Sequence, residues 1–371
     1  MKIPLIDLNI TFSEAEKDIR SNFDKIFNTH RYVLGPFQKD LEDVISKKLG
    51  VKHAVSVSSG TDALLVILMA LGIGRDDEVI TTDFTFFATA GTVARLGACP
   101  VFCDIDPDTQ NLDPGLIPGL ITPRTKAIIP VHIFGQSADM DAIMKIAEEH
   151  GLYVIEDACQ SIYSMYGERY TGSIGHAGAF SFFPSKNLGG LGDSGMVTTN
   201  DKELCQKILY LRNHGQTSGY FHTMIGGNFR MDEFQAAGLL AKEKHLDRNN
   251  TLRKKNASLY RGFFEAEGLL EKGLVQVPFE RYDHIYHQYV IQARDRDSLK
   301  DYLSENGIGC AVYYPVPLHK QPCFNYLPSA RREYPVTEKA CLGALGLPVY
   351  PGLEERAIEY IVGKIREFYS K

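Results

Sequence analysis

Short β-branched runs alternate with helical stretches between residues 51 and 200, and this alternation constrains the fold more than any other feature of the chain. Helical stretches are expected at residues 61–71, 88–96 and 140–150. Strand-like runs occupy residues 53–59, 77–82, 100–105, 126–133, 152–157, 178–183 and 195–200. Strands and helices in this order form βαβ units, so we expect an α/β fold with a mostly parallel sheet. Ligands bind at the carboxyl ends of the strands of such a sheet.

The rest of the chain predicts a second, smaller α/β unit. Residues 232–264 are helical and charged, which predicts one long connecting helix. Strand-like runs at 288–293 and 310–316 then alternate with helical stretches at 297–307 and 353–369. We therefore expect a large domain over residues 1–245 and a small C-terminal domain over residues 246–371.

Composition excludes several classes of protein. The formal charge is -6 and no basic stripe occurs, so a nucleic-acid partner is not expected. The longest apolar run, residues 63–73, is shorter than the roughly 20 residues that span a bilayer, and the first residues lack the apolar core of a signal peptide. Seven cysteines in 371 residues predict neither a disulfide framework nor a metal site. These features favour a cytoplasmic enzyme without a membrane or metal partner.

The first feature that can carry chemistry is a Ser-Ser-Gly-Thr sequence at the start of an apolar helix. Free N–H groups and the helix dipole make such a start a good anion site. Gly60 would let a phosphate approach the backbone, and Thr61 would add a hydroxyl. The alternative is that Ser59 or Thr61 only caps the helix, and the motif by itself favours that alternative.

A pair of aromatic residues follows the next strand-like run. The ring of Phe86 or Phe87 could lie flat on a planar ligand, since ring packing stabilises beyond the area that it buries. Without other motifs, two core phenylalanines would be the default interpretation.

An acidic residue, Asp157, ends the apolar run at 152–157. A carboxylate at a strand end can hold a proton on a heteroaromatic nitrogen, and Gln160 could donate to a ligand oxygen. Glu156 would point to the opposite face of the strand. The alternative is that Asp157 caps a following helix.

Lys186 follows the strand-like run at 178–183 in an apolar, glycine-rich segment. Burial there would lower the pKa of its ammonium and leave a neutral amine for Schiff-base formation. Ser181 is a small hydroxyl suited to a phosphate. Together, the four features supply what a pyridoxal-phosphate site needs: a phosphate cradle, a ring stacker, an acid at the pyridine nitrogen and a lysine for the aldehyde.

The chain resembles the sugar aminotransferases of the DegT/DnrJ/EryC1/StrS family over nearly its whole length. The motifs that carry the resemblance occur in order: YVLGPFQKDLE, SSGTDAL, PVFCDIDPDTQNLDP, GQSADMDAI, IEDACQS, FFPSKNLGGLGDSG, RNHG, GGNFRMDEFQAA and YYPVPLHKQP. The resemblance implies the aspartate-aminotransferase fold, which is fold type I of the pyridoxal-phosphate enzymes. It also implies a homodimer with shared active sites that transfers an amino group from an amino acid, L-glutamate, to a nucleotide-linked keto sugar.

The resemblance also assigns roles to individual residues. Lys186 would bind the cofactor covalently, Asp157 would pair with the pyridine nitrogen, and Gln160 would contact the ring hydroxyl. The remaining cofactor contacts would be Gly60, Thr61 and Ser181 at the phosphate, Phe86 on the ring, and Asn228 at the phosphate of the neighbouring subunit.

Contacts with the substrate are expected from Arg230, Tyr313 and Tyr314. Arg230 lies close to Asn228 and would bind a carboxylate, with an interface salt bridge as an equal alternative. Relatives often carry a histidine where this chain has Tyr313. They also often carry an alanine at Cys159 and a glycine at Ser194, but neither difference removes a functional group.

Two alternatives concern the substrate and three concern the activity. The YYPVPLHKQP segment is most similar to the branch that acts on UDP-linked 3-keto-N-acetyl sugars, in surface-polysaccharide or lipopolysaccharide biosynthesis. A dTDP- or UDP-linked 4-keto-6-deoxy sugar is the alternative. A dehydratase of the same fold would have a histidine at Lys186, and a cysteine desulfurase would need a nucleophilic cysteine in a mobile loop. A regulatory protein without catalysis would need neither Lys186 nor Asp157.

Overall fold

The computed structural model describes all 371 residues of the chain. Its helices are α1 Asn9–Ser13, α2 Glu16–Thr29, α3 Pro36–Leu49, α4 Gly60–Ala70, α5 Ala88–Arg95, α6 Met140–His150, α7 Lys202–Arg212, α8 Glu233–Glu243, α9 Leu246–Ala266, α10 Arg296–Glu305, α11 Pro335–Gly343 and α12 Glu355–Tyr369. Its strands are β1 His53–Val57, β2 Glu78–Thr82, β3 Cys99–Cys103, β4 Thr125–Ile129, β5 Tyr153–Asp157, β6 Met165–Tyr166, β7 Arg169–Tyr170, β8 Ala177–Ser181, β9 Gly195–Thr199, β10 Gln216–Ser218, β11 Phe221–His222, β12 Val275–Gln276, β13 Tyr289–Ala293 and β14 Ala344–Leu347.

Seven strands form the central sheet in the order β1-β9-β8-β5-β4-β2-β3. Pairs β2–β3, β2–β4, β4–β5 and β5–β8 are parallel, whereas β9 is antiparallel to both of its neighbours. The expected α/β fold with a mostly parallel sheet is therefore confirmed. The carboxyl ends of β1, β2, β5 and β8 lie at one edge of this sheet, so the loops that carry the four sequence features meet there.

Helices cover the sheet because its strands are apolar on both faces. Helix α4 is buried along nearly its whole length, and its leucines and isoleucine pack with strands β1, β8 and β9. A continuous apolar helix such as α4 is typical of a core element rather than an amphipathic surface helix. Its buried position fixes the start of the helix, at Gly60, at the carboxyl edge of the sheet.

A second sheet, in the order β12-β13-β14, lies in the C-terminal part of the chain. It has its own hydrophobic core, in which Tyr260 and Phe264 of α9 and Ile358 and Ile361 of α12 are fully buried. Ile3, near the start of the chain, packs in the same core. The division into domains at residue 245 stays a prediction.

Two expectations about local structure were wrong. Residues 232–264 form two helices rather than one, with a break at Lys244 and His245. The two parts pack on different partners, since α8 contacts α2 and α3 while α9 contacts α12, and no glycine or proline lies at the break. Residues 310–316 make only an isolated bridge between Ala311 and Gly346 instead of a strand.

No helix of the chain combines the length and the apolar character that crossing a bilayer requires.

Candidate active site

A cavity of about 480 Å³ lies at the carboxyl edge of the central sheet. It is bordered by residues at or after the ends of five strands and by residues from the C-terminal part of the chain. Nine of the residues singled out in the sequence line it: Gly60, Thr61, Phe86, Asp157, Gln160, Ser181, Lys186, Tyr313 and Tyr314. Their positions in the sequence span more than 250 residues, so the fold alone brings them together.

The start of α4 forms one wall of the cavity. Ser59 caps this helix, because its hydroxyl accepts a hydrogen bond from the N–H of Asp62 at 3.0 Å. The N–H groups of Gly60 and Thr61 belong to the first turn, where no intrahelical acceptor exists. The cap and the proposed anion site are therefore compatible, since different atoms serve each.

Gly60 is required by packing at this wall. A Cβ at Gly60 would lie 2.6 Å from the Cβ of Ser181 and 2.9 Å from the sulfur of Cys159. A Cβ at Gly195 would likewise lie 2.4 Å from the carbonyl carbon of Ser59. The two glycines therefore allow the start of α4 to pack closely against the start of β9 and against Ser181 at the end of β8.

Asp157 is buried at the end of β5, and both of its carboxylate oxygens are held. Oδ2 accepts from the hydroxyl of Thr89 at 2.8 Å, and Oδ1 accepts from the N–H of Cys159 at 3.2 Å. No helix follows, since residues 158–164 form turns, so Asp157 does not cap a helix. These two contacts fix the direction in which the carboxylate faces the cavity.

The preceding residue, Glu156, faces the other side of the strand as expected. It is fully buried and lies 2.9 Å from Nε2 of His132. The ring's Nδ1 accepts from the N–H of Ala138 at 3.1 Å, so Nε2 carries the hydrogen that is donated to Glu156. The N–H groups of Gly172, Ile174 and Gly175 also donate to Glu156. Glu156 therefore connects His132 with the loop at residues 172–175, on the side of β5 opposite to Asp157.

Gln160 has a fixed amide orientation. Its Oε1 accepts from the N–H of Phe134 at 2.7 Å, and its Nε2 donates to the hydroxyl of Tyr314 at 2.9 Å. Because one hydrogen of the Nε2 amide remains free, Gln160 can donate to a ligand in the cavity.

Lys186 lies on the loop after β8. Burial lowers the pKa of its ammonium, while the nearby groups of Cys159 and Asp157 oppose that shift. A lower pKa makes the neutral, nucleophilic amine more available near neutral pH.

The two phenylalanines after β2 have different surroundings. Phe86 lines the cavity and is 59% exposed, so one face of its ring is free. Phe87 stacks on Phe324, with ring centroids 5.5 Å apart. The structure thus leaves Phe86 as the ring that can cover a planar ligand.

Asn228 and Arg230 do not line the cavity of their own chain. Asn228 is exposed and forms an isolated bridge with Asn213. The guanidinium of Arg230 donates to Oδ1 of the same Asn213 at 2.5 Å and forms no ion pair within the chain. A role for Asn228 or Arg230 at the cofactor or substrate would need a second subunit.

Sequence reasoning missed several residues that line the cavity or orient its side chains. Thr89, which orients Asp157, lies 68 positions before it, and no local pattern connects the two. His287 and Gln288 line the cavity from the C-terminal part of the chain. Burial lowers the pKa of His287, and its Nδ1 lies 3.3 Å from Oδ1 of Asn187, next to Lys186. The segment at 284–288 carries no motif that would have revealed these positions.

The residues present fit pyridoxal phosphate. Free N–H groups at the start of α4 suit its phosphate, the fixed carboxylate of Asp157 suits a protonated ring nitrogen, and Lys186 suits its aldehyde. Phe86 supplies a free aromatic face for the ring. A fold of this type with such a cavity defines the class of pyridoxal-phosphate enzymes of fold type I.

Comparison with known proteins agrees with this class. The sequence profile of the DegT/DnrJ/EryC1/StrS aminotransferase family matches residues 13–366. The chain belongs to this family, and it is an aminotransferase that uses pyridoxal phosphate.

Individual relatives cover the whole chain. It is 47% identical to a protein of Geobacillus stearothermophilus named pleiotropic regulatory protein, over 100% of this chain and 99% of that one. It is 44% identical to the UDP-N-acetyl-3-dehydro-alpha-D-glucosamine 3-aminotransferase of Acidithiobacillus ferrooxidans, over 98% and 97% of the two chains. Transaminases named for dTDP-linked 3-amino sugars also match, at 33–36% identity.

A solved structure supports both the fold and the cofactor. The crystal structure of NtdA from Bacillus subtilis with bound cofactor PMP is 33% identical to this chain and superposes with a TM-score of 0.91, covering 99% of this chain and 85% of that one.

Proposed function

We propose that this chain moves an amino group from L-glutamate to a keto sugar linked to a nucleotide, and that the sugar is a UDP-linked 3-keto-N-acetyl sugar. The observation that carries the proposal is the convergence of Lys186, Asp157 and seven further expected residues on one cavity of about 480 Å³. The identity of 44% to a UDP-sugar 3-aminotransferase over 98% of the chain supports the substrate class. Such a sugar would serve surface-polysaccharide or lipopolysaccharide biosynthesis, in the cytoplasm.

Residues from four parts of the cavity would hold the cofactor. The N–H groups of Gly60 and Thr61 and the hydroxyl of Ser181 would bind its phosphate, and Phe86 would cover its ring. Gln160, whose amide is oriented by Phe134 and Tyr314, would donate to the ring hydroxyl. Bound pyridoxal phosphate supplies the aldehyde that takes up the amino group and the ring that accepts electrons.

Lys186 and Asp157 carry the chemistry on the protein side. Asp157, whose carboxylate is held in one orientation by Thr89 and Cys159, would keep a proton on the ring nitrogen. The amine of Lys186 would remove the proton from the donor Cα as general base, and its ammonium would later give up that proton as general acid. The second half of the reaction, with the keto sugar, reverses these proton movements.

The sugar occupies the side of the cavity formed by Tyr313 and Tyr314. Both tyrosines line the cavity, and the hydroxyl of Tyr314 is already fixed by Gln160.

A homodimer completes the site. Asn228 is exposed on the segment that follows the β10–β11 hairpin, and this hairpin presents Tyr220, Phe221 and Ile225 to solvent at 74–92% exposure. Apolar residues exposed at this level in one small element are typical of an interaction surface. Association through this face would carry Asn228 to the phosphate of the partner subunit and would bring Arg230 close to a substrate carboxylate.

The regulatory name of the relative from Geobacillus stearothermophilus motivates a second candidate function. A purely regulatory protein would need no amine and no oriented carboxylate in the cavity, yet both are present here, so we favour catalysis. A dTDP- or UDP-linked 4-keto-6-deoxy sugar remains the second candidate substrate.

The test is a panel of nucleotide-linked amino sugars, each incubated with the purified holoenzyme and 2-oxoglutarate, with glutamate and the keto sugar identified by mass spectrometry. We expect the UDP-linked 3-amino-N-acetyl sugar to react fastest. A faster reaction of a 4-amino-6-deoxy sugar would assign the second substrate, and reaction of none would contradict the proposed function.

A further inference from the structure

Asp83 lies directly after β2, at the same edge of the sheet as the cavity, yet it does not line the cavity. Its side chain is fully buried and binds a segment more than 230 residues away. Oδ1 accepts from the N–H of His319 at 2.7 Å, Oδ2 lies 2.5 Å from Nδ1 of the same histidine, and the carbonyl accepts from the N–H of Leu318 at 3.1 Å. Three contacts to two consecutive residues fix the backbone of this segment.

The fixed segment is the one that carries the two tyrosines of the cavity. Tyr314 precedes Leu318 by only four residues, so the position of its backbone depends on where the segment is held. Its ring packs edge-on against Phe84, with centroids 5.8 Å apart, and Phe84 is the neighbour of Asp83. The hydroxyl of Tyr314 is thus bound by Gln160, and Asp83 holds the backbone of the same segment at Leu318 and His319.

The next strand provides a comparison within the same chain. Asp104 follows β3 and also binds the C-terminal part of the chain, since its carboxylate accepts from the N–H groups of Val336 and Thr337 at 3.0 and 2.8 Å. These residues begin α11 and lie more than 20 positions after the tyrosines. Asp104 therefore holds helix α11, whose Glu338 lies 3.4 Å from Nε2 of His319, whereas Asp83 binds the backbone and Nδ1 of His319 directly.

We propose that Asp83 and His319 are positioning residues for the acceptor sugar. Their contact fixes the positions of Tyr313 and Tyr314 and thereby controls the rate of the second half-reaction, in which the sugar reacts. This inference rests on the proposed function. A small amino-acid donor reacts next to Lys186, and Gln160 keeps its hydrogen bond from the N–H of Phe134 when Tyr314 shifts, so the donor depends little on the two tyrosines. A nucleotide sugar is much larger and must lie against this wall, so a shift of the segment would affect the sugar more than the donor.

The test measures the two half-reactions separately, by the change in cofactor absorbance in single turnovers with L-glutamate and with the nucleotide amino sugar. In His319→Ala, the reaction with the amino sugar should slow on the order of 100-fold, the effect expected from a displacement of about 1 Å. The reaction with glutamate should stay within about threefold of the wild type. His319→Asn should recover most of the lost rate, because its side-chain N–H can take the place of Nδ1–H.

Asp104→Asn is the matched control, and it should leave the ratio of the two rates unchanged. If His319→Ala does not fold, Asp83→Asn takes its place, because it keeps one acceptor oxygen for the N–H of His319. Equal slowing of both half-reactions, or the same imbalance in Asp104→Asn, would overturn the inference. A wild-type enzyme that reacts with glutamate but with no nucleotide sugar would contradict the proposed function, and the inference with it.

Discussion

Asp157 and Lys186 show how neighbouring residues prepare a side chain for chemistry. The carboxylate of Asp157 accepts hydrogen bonds from Thr89 and Cys159, which fix its orientation without neutralising it. Lys186 has no comparable carboxylate contact, and burial lowers the pKa of its ammonium. One site therefore offers an oriented carboxylate and an amine whose neutral form is favoured by burial.

Asp157→Asn should remove the negative charge while keeping the hydrogen bond from the N–H of Cys159. We expect kcat to fall on the order of 10⁴-fold, as when the orienting carboxylate of a catalytic triad is neutralised. The melting temperature should change little. Asp139→Asn is the control: Asp139 caps α6 through the N–H of Ala142, and asparagine caps equally well. Activity of Asp157→Asn within a few-fold of the wild type would show that Asp157 has only a structural role.

Covalent binding of the cofactor by the apoenzyme should depend on pH in a defined direction. The neutral amine of Lys186 reacts with the aldehyde, so the rate should rise with pH through the pKa of Lys186 and then level off. Because burial lowers that pKa, the midpoint should lie below the ordinary value of 10.5. Stopped-flow absorbance after addition of pyridoxal phosphate measures it, with Nα-acetyl-lysine as the control. A midpoint at or above that of the free amine would contradict the expected effect of burial.

Among the elements, α4 and β8 depend on the absence of a side chain at Gly60. Gly60→Ala would place a Cβ 2.6 Å from the Cβ of Ser181 and would force the helix start away from the strand end. We expect a loss of about 1–3 kcal/mol in the free energy of unfolding, as for other overpacked sites, and a clearly weaker affinity for the cofactor. Urea denaturation and a titration of the apoenzyme with pyridoxal phosphate measure the two effects.

Gly363→Ala is the matched control for that substitution. Gly363 lies inside α12, and a Cβ there meets no atom within 4 Å. Alanine is the better helix former by about 1 kcal/mol, so this variant should be slightly more stable and bind the cofactor normally. Equal stability and equal cofactor affinity of the two variants would show that the close approach of Gly60 to Ser181 affects neither quantity.

At the level of elements, the sequence predicted the seven strands of the central sheet and the helix Met140–His150, because each shows a clear local pattern of apolar residues or a capping residue. The break at Lys244 and His245 was missed, since no glycine or proline lies at the break. Residues 310–316 were expected to form a strand because they are rich in valine and tyrosine. Their backbone instead runs along the cavity, where Tyr313 and Tyr314 face the site and leave only one bridge to β14.

The candidate site was predictable to the extent that its residues belong to motifs at strand ends. Gly60, Asp157, Ser181 and Lys186 each follow a strand, and the topology of a parallel sheet brings such positions together. Thr89 and His287 could not be found in this way, because their contacts with the site join distant parts of the chain. Such contacts depend on how the elements pack, which no local pattern in one sequence records.

At the scale of the whole molecule, we predict an active site that is shared across a dimer. Lys186→Ala and Asn228→Asp chains should each be inactive alone, the second because an added carboxylate repels the cofactor phosphate. After subunit exchange, about half of the dimers are mixed and each has one intact site, so activity should recover to about a quarter of the wild type. Exchange is verified by native mass spectrometry with one chain isotopically labelled. No recovery despite exchange would mean that Asn228 serves its own subunit or does not contact the cofactor.

The central claim, that this chain transfers an amino group to a nucleotide-linked sugar through Lys186, is tested most directly by following the nitrogen atom. Wild-type enzyme and Lys186→Ala are each incubated with ¹⁵N-labelled L-glutamate and a UDP-linked 3-keto-N-acetyl sugar, and the nucleotide sugar is analysed by mass spectrometry. We predict that the wild type yields a sugar carrying one ¹⁵N amino group and that Lys186→Ala yields none. An unlabelled sugar from the wild type, or a labelled sugar from Lys186→Ala, would contradict the claim.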